Sequence, residues 1–176
     1  HGIMWKFNPS QIVEKYLSWA DNYQENRISI IYDTMWNSTR RMAEAIADGI
    51  RVKDPDVTVS LFSTSKTDKS DIITEIFRSR AVLVGSPTVN NGYLYSIAGI
   101  LELIKGSKFK NKKAAAFGSY GWSGEAVKLI NEELKKSGFD VVDDGFRTTW
   151  TPDDEVLKKL REYGSVLAEK FNSVIS

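Results

Sequence analysis

Cysteine is absent from this chain, and histidine occurs once, at position 1. Without thiols there is no disulfide, no thiolate nucleophile, and no iron–sulfur or Cys/His zinc site within it. With its only histidine at the first residue, a Ser–His–Asp triad lacks a base. Redox chemistry, if the chain takes part in any, has to come from a bound organic group. An excess of charge is also missing. The 24 basic and 23 acidic residues leave a net charge of +1, which provides no electrostatic footprint for nucleic acid or an anionic membrane. No apolar run approaches the roughly 18 residues that span a bilayer. No signal-peptide pattern opens the chain, and together with the lack of disulfides this points to the cytoplasm.

What is present is ordinary in bulk. At 176 residues the chain is long enough for one domain with a substantial core. Its 41% apolar and 27% charged residues exclude disorder. Asn8-Pro9 reads as a cap and first helical position, and Ile12, Val13, Tyr16, Leu17 and Ala20 follow at helical spacing. Residues 1–26 are therefore taken as a leading segment with a connecting helix, and 27–176 as the domain proper. Trp5 and Trp19 are taken as packing residues.

From Arg27 onward strands alternate with helices. Strands are expected at 28–32, 57–62, 81–85, 114–118 and 141–146, the last running on irregularly toward Trp150. Helices are expected at 39–52, 68–78, around Ile97–Ile104 with closure at Lys105-Gly106, at 125–137, and from Pro152-Asp153 to the end. The continuous run Ala81-Val82-Leu83-Val84 marks a strand covered on both faces. Five such strands predict an α/β, doubly wound parallel sheet with right-handed crossovers. In order 2-1-3-4-5, the loops after strands 1, 3 and 4 meet at one mouth, where open α/β sheets bind ligands.

Those three loops have unusual chemistry. The first is Thr34-Met35-Trp36-Asn37-Ser38-Thr39, a hydroxyl- and amide-rich turn into a helix. It contains no G-x-x-x-x-G-K and no G-x-G-x-x-G. By itself it is either an anion cup, holding a phosphomonoester on backbone amides and hydroxyls, or simply a helix cap. Arg40 and Arg41 are read as a solvated face. The second is Ser86-Pro87-Thr88-Val89-Asn90-Asn91-Gly92, followed by Tyr93 and Tyr95, and the third is Ser119-Tyr120-Gly121-Trp122-Ser123-Gly124. Tyr93, Tyr95, Tyr120 and Trp122 offer flat surfaces to a planar ring, and Asn90 and Asn91 could bond its edge. Trp36 either shields a ring edge or faces a partner domain. The loops after the second and fifth strands look ordinary. A cup without lysine beside aromatic walls describes flavin mononucleotide (FMN) better than ATP or NAD.

Three stretches in the same order, 32–39, 84–92 and 117–124, give the chain a resemblance along essentially its whole length. It resembles the flavodoxin-like domain of flavodiiron proteins, the A-type flavoproteins that reduce oxygen or nitric oxide. Trp36-Asn37 stands where ordinary flavodoxins have other residues, and Tyr95 stands where the family often has proline.

The resemblance implies a flavodoxin-like fold and FMN held by the nineteen residues of the three loops. It implies an electron donor such as rubredoxin, a preceding metallo-β-lactamase-like domain with a di-iron centre, and a head-to-tail homodimer of the full-length parent. His1-Gly2-Ile3-Met4-Trp5 is similar to the end of that domain. His1 would then be an iron ligand only in the full-length parent, or else a vector remnant. The domain alone would be an electron carrier and the parent an oxidoreductase. An alternative is a free-standing NAD(P)H-dependent quinone or flavin reductase of the same fold; a third is a degenerate domain kept for assembly. A phosphoacceptor receiver needs an aspartate where Gly85-Ser86-Pro87 stands, and is rejected.

Overall fold

The computed structural model describes residues 10–20 and 23–173. The expectations for His1 to Trp5, for Asn8-Pro9 and for the packing of Trp19 lie outside the described residues or side chains. Helix α1 (Ser10–Ala20) leads into β1 (Glu25–Tyr32), α2 (Ser38–Lys53), β2 (Thr58–Ser63) and α3 (Lys69–Arg78). Then come β3 (Ser79–Gly85), α4 (Tyr95–Ser107), β4 (Lys113–Tyr120), α5 (Ala126–Lys136), the short β5 (Asp140–Val141) and β6 (Phe146–Thr149), and α6 (Asp154–Asn172). All pairings among these strands are parallel, in the order β2-β1-β3-β4-β5, with β6 also on β4. The doubly wound sheet and its order are as expected.

Strand period two divides the core between the faces of the sheet. In β1, Ile28, Ile30 and Tyr32 point toward α2 and α6, where Met42, Ile46, Ile50, Leu160 and Leu167 complete one buried cluster. Ile31 points the other way, into a cluster with Ile72 and Ile76 of α3, Ile97 and Ile100 of α4, and Ile130 and Leu134 of α5. Helices α2 and α6 pack closely through two glycines. A Cβ on Gly49 would lie 1.9 Å from the Arg161 carbonyl oxygen, and one on Gly164 would lie 2.2 Å from that of Ile46.

Two local expectations change. The fifth strand is interrupted: β5 pairs with Lys113–Ala114 and β6 with Phe117–Tyr120, so two short pieces share one edge of β4. Between them the chain turns on Gly145 at φ +87°. Asp143 holds that turn, accepting from the Gly145 N–H (2.9 Å), the Tyr163 hydroxyl (2.8 Å) and Lys170 Nζ (2.9 Å). Helix α4 runs past Gly106 to Ser107 and ends through Lys108 in the left-handed conformation, φ +51°. Among the described residues, no helix is long and apolar enough to cross a membrane.

Candidate functional site

The loop after β1 is fixed from behind. The Asp33 N–H donates to the Gly85 carbonyl (3.2 Å), extending the ladder one residue beyond the strand. The buried Asp33 carboxylate accepts from the Thr34 N–H (2.9 Å) and from the Ser96 hydroxyl (2.5 Å) at the start of α4. It is thereby tied down outside the cup. Asn37 then turns the chain with φ +61° and ψ 0°, and α2 begins at Ser38. No side chain caps α2, so a capping role for this loop's side chains is not realised. The first-turn amides and the positive end of the helix dipole stay open to an anion. The hydroxyl oxygens of Thr34 and Thr39 are buried there without a hydrogen-bond partner. A buried hydroxyl left unpaired costs stability, and a phosphate in the cup would satisfy both.

The second loop is built around a two-residue turn. Val89 and Gly92 exchange backbone hydrogen bonds of 3.0 and 2.9 Å, with Asn90 (φ +50°) and Asn91 (φ +57°) between them. Left-handed values at both central positions define a type I′ turn, for which asparagine is well suited. Ser86 is buried and works for the loop: its hydroxyl donates to the Pro87 carbonyl (2.8 Å) and accepts from the Leu94 N–H (3.0 Å). Thr88 joins this loop to the third, donating its N–H to the Ser119 carbonyl (2.8 Å) and accepting from the Ala126 N–H (3.3 Å). Tyr93 and Tyr95 do not form walls. Tyr93 is drawn onto the apolar cluster beneath, where burial raises its phenol pKa, and Tyr95, the first residue of α4, is 89% exposed.

In the third loop Ser119 and Tyr120 are still part of β4. Gly124 is tucked under the Tyr120 ring, 3.1 Å from where its Cβ would be. Trp122 stands out at 88% exposure. The loop after β6, which looked ordinary, turns out to complete the site. The Trp150 N–H donates to the Tyr120 carbonyl (2.8 Å), and its backbone then turns left-handed, φ +54°. The next residue brings its hydroxyl within 3.2 Å of the Ser38 hydroxyl at the start of α2. The signal was available in Thr149-Trp150-Thr151, hydroxyls and an indole just ahead of a helix cap, the same mixture as in the other loops.

Together the four loops enclose a cavity of about 700 Å³ at the carboxyl end of the sheet, within the usual range for small-molecule sites. Hydroxyls of Thr34, Ser38 and Thr151 contribute to it near the start of α2, while Trp36, Tyr120, Trp122 and Trp150 supply aromatic surface. Pro87 to Asn91, Met35, Ser119, Gly121 and Ser123 complete the lining. Asn37, Thr39, Ser86, Gly92 and Gly124 support it from the turn or from behind. No charged side chain lines the cavity. Arg40 is paired with Glu44 at 2.8 Å on the solvent face of α2, as read. Glu125, just ahead of α5, buries one unpartnered carboxylate oxygen. Among the described residues, no group of three His, Cys, Asp or Glu side chains is placed to hold a metal ion. The donor set fits a phosphomonoester joined to a planar ring.

Known proteins are similar to this chain in sequence and fold. The profile of the flavodoxin family matches residues 30–164. The anaerobic nitric oxide reductase flavorubredoxin of Vibrio vulnificus is 52% identical over 169 residues, covering 96% of this chain and 34% of that protein. The chain thus spans about a third of the length of the curated relatives it matches. Among solved structures, the rubredoxin oxygen:oxidoreductase of Desulfovibrio gigas superposes with a TM-score of 0.87 at 37% identity, over 92% of this chain and 40% of that one. A flavodoxin from the domain Archaea superposes with a TM-score of 0.74 at 32% identity, over 84% of this chain and 99% of that one.

Proposed function

The chain belongs to the flavodoxin family, and from that premise we propose that it is the FMN-binding, electron-transfer domain of a longer flavodiiron-type oxidoreductase. One observation carries the reading. Two buried threonine hydroxyls, Thr34 at the wall of the cavity and Thr39 behind it, lie unpaired beside an uncapped helix N-terminus, and the same cavity presents four aromatic side chains. Bound there, FMN supplies the one- and two-electron chemistry that the side chains of this chain lack.

The chain's own residues bind and orient. Thr34, Ser38 and Thr39 would donate hydroxyl protons to the phosphate beside the open amides of α2, and the dipole of α2 would offset its charge without a lysine. Asn90 and Asn91, presented by the type I′ turn, are the amides nearest to hand for the ring's polar edge. Trp122 and Tyr120 would cover a face and exclude water, while Trp36, 82% exposed, would be free to meet a redox partner. In the parent, a rubredoxin-type donor would reduce the flavin, and a di-iron domain of a head-to-tail partner would draw electrons from it for reduction of nitric oxide or oxygen. The proposed compartment is the cytoplasm, and the proposed domain boundary lies near residue 27.

Titration of the flavin-free protein with FMN tests this. Quenching of flavin emission and a shifted visible band are expected; unchanged spectra at excess FMN would sink the proposal. Steady-state NADPH oxidation with a quinone acceptor separates the carrier from a free-standing reductase, and a negligible rate is expected for the carrier.

A further inference from the structure

The corner at Trp150 and Thr151 is built in a way that the packing of the fold leaves unexplained. Trp150 adopts a left-handed backbone, φ +54°, which a bulky side chain rarely takes without a functional reason. Its indole belongs to neither buried cluster and is 66% exposed. It nevertheless has a defined position, with ring carbons 3.5–3.6 Å from where a Cβ on Gly121 would sit, at the wall of the cavity. Both flanks of the corner are anchored. The Trp150 N–H extends the β4–β6 ladder to the Tyr120 carbonyl, and Asp153 caps α6 by accepting from the Val156 N–H at 2.8 Å.

We infer that Trp150–Thr151 is a fourth cofactor-binding segment, in which the Thr151 hydroxyl serves the phosphate through Ser38 and the Trp150 indole serves the ring. This rests on the FMN reading above. The Ser38–Thr151 pair is 3.2 Å apart and either oxygen can be the donor. A phosphate dianion only accepts, so Ser38 must turn its own proton toward it. The bond to Thr151 then has one possible direction, with Thr151 donating to the Ser38 oxygen. Polarised in this way, Ser38 is a better donor to the anion. Thr151 is thus a positioning residue for the phosphate, acting across 113 residues of sequence.

Comparison of FMN with riboflavin, which has the same ring and no phosphate, separates the two roles. With flavin-stripped protein and flavin emission as the readout, Thr151→Val is expected to weaken FMN about tenfold and leave riboflavin unchanged. Thr151→Ser, which keeps the hydroxyl, should restore FMN affinity. Trp150→Asn, which accepts the left-handed backbone, is expected to weaken FMN and riboflavin alike, about fivefold. Thermal midpoints of the flavin-free variants close to that of the parent chain would confirm that the fold is kept. Equal loss of both ligands in Thr151→Val would overturn the phosphate role, and unchanged binding in Trp150→Asn would overturn the ring role. If the unmodified chain binds neither flavin, the FMN reading itself fails and takes this inference with it. Binding by the unmodified chain with both variants unaffected defeats this inference alone.

Discussion

Thr39 is fully buried, yet its hydroxyl oxygen has no partner. A valine there would remove an unsatisfied polar atom and keep the branched shape. Thr39→Val is accordingly expected to stabilise the flavin-free protein, by about 1 kcal/mol, while weakening FMN at least about tenfold. Urea unfolding without flavin and a binding titration measure the two halves, and opposite signs are the expected outcome. Lys112 is the other buried group of note. Its Nζ donates to the Phe77 carbonyl (2.8 Å) and the Ser79 carbonyl (2.6 Å) at the end of α3, and burial lowers its pKa to about 8. The unfolded value is about 10.4. Between these values the folded state binds fewer protons than the unfolded one, so stability rises with pH. The neutral amine keeps two N–H groups for its two carbonyls. Relative to Lys112→Met, the unmodified chain should gain at least about 1 kcal/mol between pH 7.5 and pH 10, read from urea unfolding at each pH. At this scale the sequence showed residue kinds better than directions. The hydroxyls of Thr34, Ser38 and Thr39 were visible as a cluster at a helix start, but that Tyr93 sinks onto the core, or that Thr151 meets Ser38, depends on contacts between distant segments.

The contact between α2 and α6 carries the element-scale argument. With Arg161 and Ile46 carbonyls 1.9 and 2.2 Å from where the side chains would begin, even a methyl group forces the helices apart. Gly49→Ala and Gly164→Ala are each expected to cost about 3 kcal/mol, seen as a lowered urea midpoint, despite alanine's higher helix propensity. Retained stability in both would mean that the helices separate freely. Periodicity made nearly every element legible, because apolar residues recur at the spacing of the face they bury. The break in the fifth strand was only hinted at, since Asp143-Asp144-Gly145 is a turn sequence inside an apolar stretch. At the break Asp143 is tied to Tyr163 and Lys170 of α6, contacts that pattern alone does not reveal. Lys108, exposed and two residues beyond Gly106, takes the left-handed helix end where glycine is usual, which pattern alone does not reveal.

For the molecule as a whole, the described side chains of α1 belong to neither buried cluster. Val13, Tyr16 and Leu17 are each more than half exposed, so these three contribute little to the core. A chain beginning at Tyr23 is expected to unfold cooperatively within about 1 kcal/mol of the full chain. Its FMN affinity should be unchanged, because α1 precedes the amino end of β1 and the cavity lies at the carboxyl end. A loss of several kcal/mol would make α1 integral to the domain. The global architecture was the most legible level, since alternating strands and helices leave few topologies open.

The interruption between β5 and β6 has a consequence for how such a domain behaves at high concentration. A straight outer strand offers an unbroken row of free N–H and C=O groups, a template on which another chain can lay down a strand. Here the row is two residues long, then breaks at a turn carrying Asp143 and Asp144, then resumes for four. A neighbouring molecule finds no continuous register to copy. The bend that shapes this edge of the sheet also removes it as a template for strand addition.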